Sequence, residues 1–363
     1  MPCTGRVVVV DAHCNFNGGV DMIMFNFLSL ISGFCEIGIV VWGMKLFGIT
    51  GALLGGLFYQ IGNMAPNPIT LSRRMCWGLL SSALALGLAG YFFQPVFLYP
   101  ALTLFTMVLQ NERSVLKNKT NNTGSKVLKR AFRIIGFALG FLFRIESFFI
   151  CLIAIVVICI ICKEDNNGKT SITVPHFNKL DVILVLHEIH YFVYCYCALL
   201  IVYRLTVSGV YAALAFALTW LPYASGSNIY EKTGILGKLG YKKTFLLGHS
   251  ILAVIFVLMF MFYRIQTSSG TVPLISFVIW FFTGILGTTE FCVEKVDKLN
   301  KTYVKANHDS AENIGHILGI ILSIVLYLIT RDLSISVLVA GAFASAALLL
   351  MAIFVKEEQN EGL

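Results

Sequence analysis

An all-α membrane protein of twelve transmembrane helices in two pseudo-symmetric six-helix bundles is the fold that the sequence predicts, and three observations predict it. First, 57% of the 363 residues are hydrophobic and only 13% are charged. Water-soluble domains run at about 25% charged, so this chain needs lipid as the solvent for its apolar surface. Second, charge-free windows at 46–72, 75–111, 205–230, 244–263, 265–289 and 333–355 reach or exceed the roughly 20 residues that span hydrocarbon. Third, Lys and Arg are rich in alternate connections. Of the 27 Lys and Arg, only Lys45, Arg144, Arg204, Arg264 and Arg331 fall on the opposite face, which sets both termini in the cytoplasm of a cell (inner or plasma) membrane. The net charge of +8 follows from this asymmetry, and no nucleic-acid partner is needed to explain it.

The spans follow in order as 23–46, 48–68, 74–94, 95–112, 127–145, 147–163, 180–203, 208–229, 242–263, 272–293, 312–330 and 333–355. The first is an apolar run around Glu36, and the second is GITGALLGGLFYQIGN with its flanks. The third and fourth share one long apolar window, broken at Gln94-Pro95 because proline ends a helix. The fifth and sixth meet between Arg144 and Glu146. The seventh, LDVILVLHEIHYFVYCYCALLIVY, is apolar at both ends and ionisable in its middle. The polar connections 111–130 and 163–179 are the longest interruptions, and the second lies near the midpoint. It divides the chain into a bundle at 1–163, a cytoplasmic linker at 164–179 and a bundle at 180–363. The two parts repeat a pattern. An apolar run, a polar turn ending in Arg73-Arg74 and a helix are answered by SGVYAALAFALTWLPYASGSN, a turn ending in Lys242-Lys243 and a helix.

Within the spans, Gly51/Gly55, Gly136/Gly140 and Gly315/Gly319 allow close helix contact. The ten cysteines lie mostly inside spans and read as small hydrophobes. The sequons at Asn118, Asn121 and Asn300 fall on the cytoplasmic face, the wrong one for glycosylation.

Residues 233–248, TGILGKLGYKKTFLLG, resemble the cytoplasmic loop between the second and third helix of each half in the major facilitator superfamily. Gly240, Lys242 and Lys243 match its glycine-spaced turn and paired basic residues, while Gly237 stands where an aspartate is usual. The first-half loop, NMAPNPITLSRR, keeps Arg73 and Arg74 of that pattern. The resemblance implies a secondary active transporter that moves a small organic solute by alternating access, with Arg73, Arg74, Gly240, Lys242 and Lys243 in the gating loops. It implies no enzyme activity, cofactor or metal, and a monomer in the lipid bilayer whose partners are the solute and protons. A transporter-like binding or regulatory protein is the alternative. An intramembrane metal-dependent enzyme or metal transporter is a third reading.

An ionised side chain at the centre of a bilayer costs about 2.5–3.5 kcal/mol or more, so intramembrane ionisable residues mark candidate pathways. Glu36 stands near the middle of the first span, at about the midplane of the bilayer. The resemblance supports it as a proton-coupling group, with Glu188 as a second. His187 and His190 are three apart and share a helix face, while Glu188 points about 100° away. Four uses of the histidine pair stay open: protonation switch, substrate-binding patch, transition-metal ligands with Glu36, or a structural pair satisfied by neighbouring helices. The string HEIHY lacks the second histidine of HExxH, since Tyr191 stands there, and so does not form a zinc-protease motif. Tyr191 and Tyr194 add hydroxyl-bearing rings suited to an amphipathic solute. Arg144, Gln60 and Trp220 complete the expected substrate-binding set.

Overall fold

A computed structural model describes residues 12–64, 69–120, 126–161, 171–172, 175–265 and 274–355. The expected cytoplasmic termini, Asn121 and most of the 164–179 linker lie outside these described residues.

The described chain is almost wholly helical. Helix α1 (Ala12–Met64) is continuous in hydrogen bonding but broken at Gly48, whose φ of 67° and ψ of −158° are open to glycine and strained for any residue with a Cβ. It is therefore two helices, as the expected boundary near residue 47 requires. Ser72 accepts the amide of Met75 and caps α2 (Arg73–Phe92). Pro95 then opens a 3-10 turn that feeds α3 (Leu98–Thr120), where its fixed φ and missing N–H cost nothing. Helices α4 (Lys126–Gly140) and α5 (Ile145–Ile161) complete the first group.

Asn178 and Asp181 form a reciprocal capping box at the start of α6 (Lys179–Thr206), which satisfies two of its otherwise unpaired first-turn amides. Helix α7 (Gly209–Lys232) carries Pro222 inside it, and α8 (Ile235–Ile265) turns at Gly240 with φ of 71°. Helices α9 (Leu274–Gly287) and α10 (Phe291–Leu299) are joined by a 3-10 turn at Thr288–Glu290. Helices α11 (Lys305–Thr330) and α12 (Leu333–Phe354) end the described chain. Two-residue strands, β1 (Ile69–Thr70) and β2 (Ser171–Ile172), pair antiparallel with Ile69 opposite Ile172.

By length and composition, seven helices among the described residues can cross a membrane, and α5 and the first part of α7 are shorter apolar helices. The difference from the expected twelve has local causes. Gly19–Met64 is one hydrogen-bonded run although Gly48 splits it. The last turns of α3 read QNERSVLKNKT and α4 has only 15 residues. The whole is an all-α membrane protein with aliphatic residues such as Ile150, Ile153, Val254 and Leu258 exposed on its outside, where lipid would cover them.

Helix α1 packs on α3 and α4, and α6 packs on α11 and α12. The two groups meet where α1 touches α11 and α4 touches α7. Helix α6 is enclosed along nearly its whole length, so its ionisable residues must find partners inside the protein.

Candidate functional site

Between the two groups lies a cavity of about 630 Å³. Its wall on one side comes from α1, α3 and α4, and on the other from α6, α7, α11 and the 3-10 turn before α10.

Glu36 of α1 lines this cavity and is 3% exposed. Its Oε2 accepts from Arg133 Nη2 of α4 at 2.8 Å, and its Oε1 accepts from Gln60 Nε2 and the Tyr196 hydroxyl, each at 3.3 Å. Gln60 Nε2 also donates to the Tyr196 oxygen at 3.1 Å, so a hydrogen-bonded chain crosses from α1 to α6. The Arg133 guanidinium lies 5.6 Å from the centre of the Phe137 ring and 5.5 Å from that of Trp220. Such ring faces attract a cation and shield it from lipid.

Across the cavity, Glu188 Oε2 lies 2.9 Å from His316 Nε2 of α11, and Glu188 Oε1 accepts from the Tyr223 hydroxyl at 3.1 Å. The same hydroxyl also contacts Glu290. Glu312, one turn before His316, lines the cavity too. Lys117, Arg130 and Arg133 thus stand on one wall and Glu188, Glu290 and Glu312 on the other.

Behind the second wall sit three histidines. His187, His190 and His249 are at most 1% exposed. His187 Nδ1 is 2.9 Å from His249 Nε2, and His187 Nε2 is 3.1 Å from Glu290 Oε2. His249 Nδ1 is 3.2 Å from the Phe245 carbonyl and 3.2 Å from Thr289 Oγ1.

Of the residues singled out in the sequence, Glu36, Gln60, Glu188, Tyr191 and Trp220 line the cavity. His187, His190 and Tyr194 do not. They share one face of α6, as their spacing of three and four requires, but that face looks at α8, where His190 and Tyr194 both meet the Phe256 ring. The cavity takes the face bearing Glu188, Tyr191 and Cys195. Arg144 is exposed in the turn between α4 and α5, away from the cavity. In the loops, Arg73 Nη1 bonds Glu112 Oε1 of α3 at 3.0 Å. Lys242, two residues after the Gly240 turn, donates to the Ala352 carbonyl at 3.1 Å and contacts the Val355 carbonyl, at the end of α12. Arg74 and Lys243 are exposed.

Sequence reasoning missed Arg133, His249, Glu290 and His316. For Arg133 one signal existed: a buried carboxylate calls for a cation. Nothing in the sequence says which of 27 basic residues answers.

No protein-family model and no curated protein matches this chain. Among solved structures it is similar to a crystal structure of peptide transporter POT in complex with sulfate, at 14% identity, 93% coverage of each chain and a TM-score of 0.51. A second crystal structure of peptide transporter POT matches at 15% identity over 93% of each chain, with a TM-score of 0.48. At such identity the first likeness is one of fold.

Proposed function

We propose that the chain is a secondary active transporter of the major facilitator type, moving a small organic solute through the central cavity by alternating access and coupled to protons. The observation that carries this reading is the cavity between two helix groups, with Lys117, Arg130 and Arg133 gathered beside Glu36 on one wall and Glu188, Glu290 and Glu312 on the other. Opposed charges suit a solute that bears both signs, such as an amino acid or short peptide, and the neighbouring fold of a peptide transporter supports that class. In this reading residues 1–163 and 180–363 are the two six-helix bundles, with twelve crossings and both termini in the cytoplasm. Taking α1 as two helices at Gly48 and α9 with α10 as one supports that count.

Tyr191, Trp220 and Gln60 contact the solute, while His187, His190, Tyr194 and Arg144 stand outside the cavity. Glu36 and Glu188 are the proton-coupling groups. Protonation of Glu36 releases Arg133 to bind a solute carboxylate, since the pair that held it is gone. Glu188, Tyr223 and Glu290 form a cluster of two carboxylates around one phenol, which an added proton saves from burying two like charges. In the loops, the Arg73–Glu112 pair and the Lys242 cap on α12 fix the turns at the cytoplasmic surface.

Uptake into proteoliposomes under an imposed pH gradient tests the proposal. Glu36→Gln mimics the protonated acid, so it should abolish gradient-driven accumulation and spare solute binding or exchange. Accumulation by Glu36→Gln equal to wild type would remove Glu36 from coupling. Absence of any solute flux in the wild type would reject transport.

A further inference from the structure

We propose that His187, His190 and His249 form a resident binding site for a divalent transition metal of the zinc class, buried between α6 and α8. One ring nitrogen from each lies within 4.8 Å of the others, and all three side chains are buried. The His187 and His190 ring centres are 4.5 Å apart, those of His187 and His249 5.1 Å, and those of His190 and His249 5.6 Å.

Hydrogen bonding outside this triad turns one lone pair inward. The Phe245 carbonyl can only accept, so the His249 Nδ1 beside it at 3.2 Å carries the hydrogen and Nε2 is left with a lone pair. His187 Nδ1 faces that lone pair at 2.9 Å. His187 Nε2, although 3.1 Å from Glu290 Oε2, makes no hydrogen bond, and neither does the buried His190 Nδ1. A proton shared between His187 and His249 leaves His190 unanswered, whereas a metal ion held by one nitrogen of each ring engages all three.

The ligand chemistry sets the class of ion. Imidazole nitrogens suit Zn2+, Cu2+, Fe2+ and Ni2+, whereas Ca2+ and Mg2+ take oxygen ligands. Zinc–nitrogen bonds of about 2.0–2.1 Å in tetrahedral geometry put neighbouring nitrogens roughly 3.3 Å apart, a few tenths of an ångström beyond the His187–His249 contact. Three imidazoles leave the fourth position to a water molecule. Glu290 and Glu188 stand with His187 in a second close cluster of possible ligand atoms, which places carboxyl groups beside the ion. Glu290 Oε2, 3.1 Å from His187 Nε2, stands where the carboxylate of a carboxylate–histidine–metal arrangement stands, from which a small turn of either group would orient the ligand ring. With His187 and His190 on α6 and His249 on α8, the ion ties two helices of one group together.

The test uses the full chain purified in detergent, stripped with a chelator, loaded with Zn2+ alone and freed of excess by dialysis. Wild type should keep one equivalent per chain, and its melting temperature should rise on loading. His249→Ala should keep none, while Glu290→Gln, which removes only the outer carboxylate, should bind roughly 10–100-fold more weakly. Because a change at a buried site can prevent folding, Co2+ is also added to wild type, where nitrogen-ligated four-coordinate Co2+ gives an intense visible absorption. Wild type retaining well below one equivalent, a folded His249→Ala that retains as much metal as wild type, or Co2+ in wild type without that band would each overturn the site. None of these readings needs a gradient or a solute, so they stand or fall apart from the transport assay.

Discussion

Glu36 shows what a single residue announces and what it conceals. A carboxylate in an apolar helix far from either end is visible in the sequence, because any such group must be paired, solvated or neutral. Its partner is not visible, since Arg133 lies 97 positions away and nothing in helical periodicity ranks it above its neighbours. The same holds for His316, which answers Glu188 from 128 positions away. The pairing has an energetic consequence. Removing one member of a buried pair leaves the other charge uncompensated, which typically costs about 3–5 kcal/mol. Arg133→Ala should therefore lower stability on that order, and the double variant Glu36→Gln with Arg133→Ala should recover most of the loss, as read by thermal unfolding in detergent. Equal destabilisation by the single and double variants would show that Arg133 acts through its contacts with Phe137 and Trp220.

At the level of helices, apolar runs placed most elements well, and the misses have a common cause. Helix α11 begins at Lys305, seven residues before the expected start, because KANHDSAEN reads as a loop. Its polar side chains serve the cavity, where Glu312 and His316 stand. Glycine spacing in the sequence pointed to close helix contact without saying between which helices, and at Gly136 it decides one: a Cβ there would fall 2.2 Å from the Leu30 carbonyl oxygen of α1. Gly136→Ala should force α1 and α4 apart, at a cost of about 1–3 kcal/mol. Gly78→Ala, with nothing within 4 Å, should leave stability unchanged or raised by about 0.5–1 kcal/mol, since alanine has less chain entropy to lose in a helix.

Helices α8 and α12 are joined at their ends by Arg264 Nη2 and Asp332 Oδ2 at 2.7 Å, and Asp332 also accepts the Ser334 amide and hydroxyl at 2.9 and 2.7 Å. Burial alone would raise the Asp332 carboxyl, but Ser334 and Arg264 outweigh it and hold the group below its usual value. A folded-state value below the unfolded one gives stability that is complete above the unfolded value, about 3.9, and is lost as pH falls through the folded value. Asp332→Asn should thus melt below wild type at neutral pH, and the gap should close as pH drops below about 4. A gap that stays constant from neutral pH to acid would show that the charge is not what Asp332 contributes.

For the molecule as a whole, the membrane class was legible from composition, because 13% charged residues cannot clothe a soluble surface. How the helices assemble was less so. The cavity requires α1 and α4 to meet α6, α7 and α11, and each of those contacts joins residues far apart in the chain. The bias in Lys and Arg predicts that both ends of the chain face the cytoplasm. Reporter fusions at Leu363 should be active only with a cytoplasmic reporter, and activity only outside the cell would invert the topology. Superposing residues 23–163 on 180–355 by a rotation about the membrane normal should bring Arg73-Arg74 onto Lys242-Lys243. A fit that requires one half to be turned over in the membrane would reject the parallel repeat.

The small β1–β2 pair sets a length that the helices do not. Ser171–Ile172 is hydrogen-bonded to Ile69–Thr70, just ahead of α2, so the connection between α5 and α6 is stapled beside α2 before it reaches α6. Only the stretch from Ile172 to Lys179 is then left to bridge to α6, at most about 25 Å of fully drawn-out chain. With the staple closed, that leash fixes how far the start of α6 can travel from β1. Any wider excursion must first peel two backbone pairs apart.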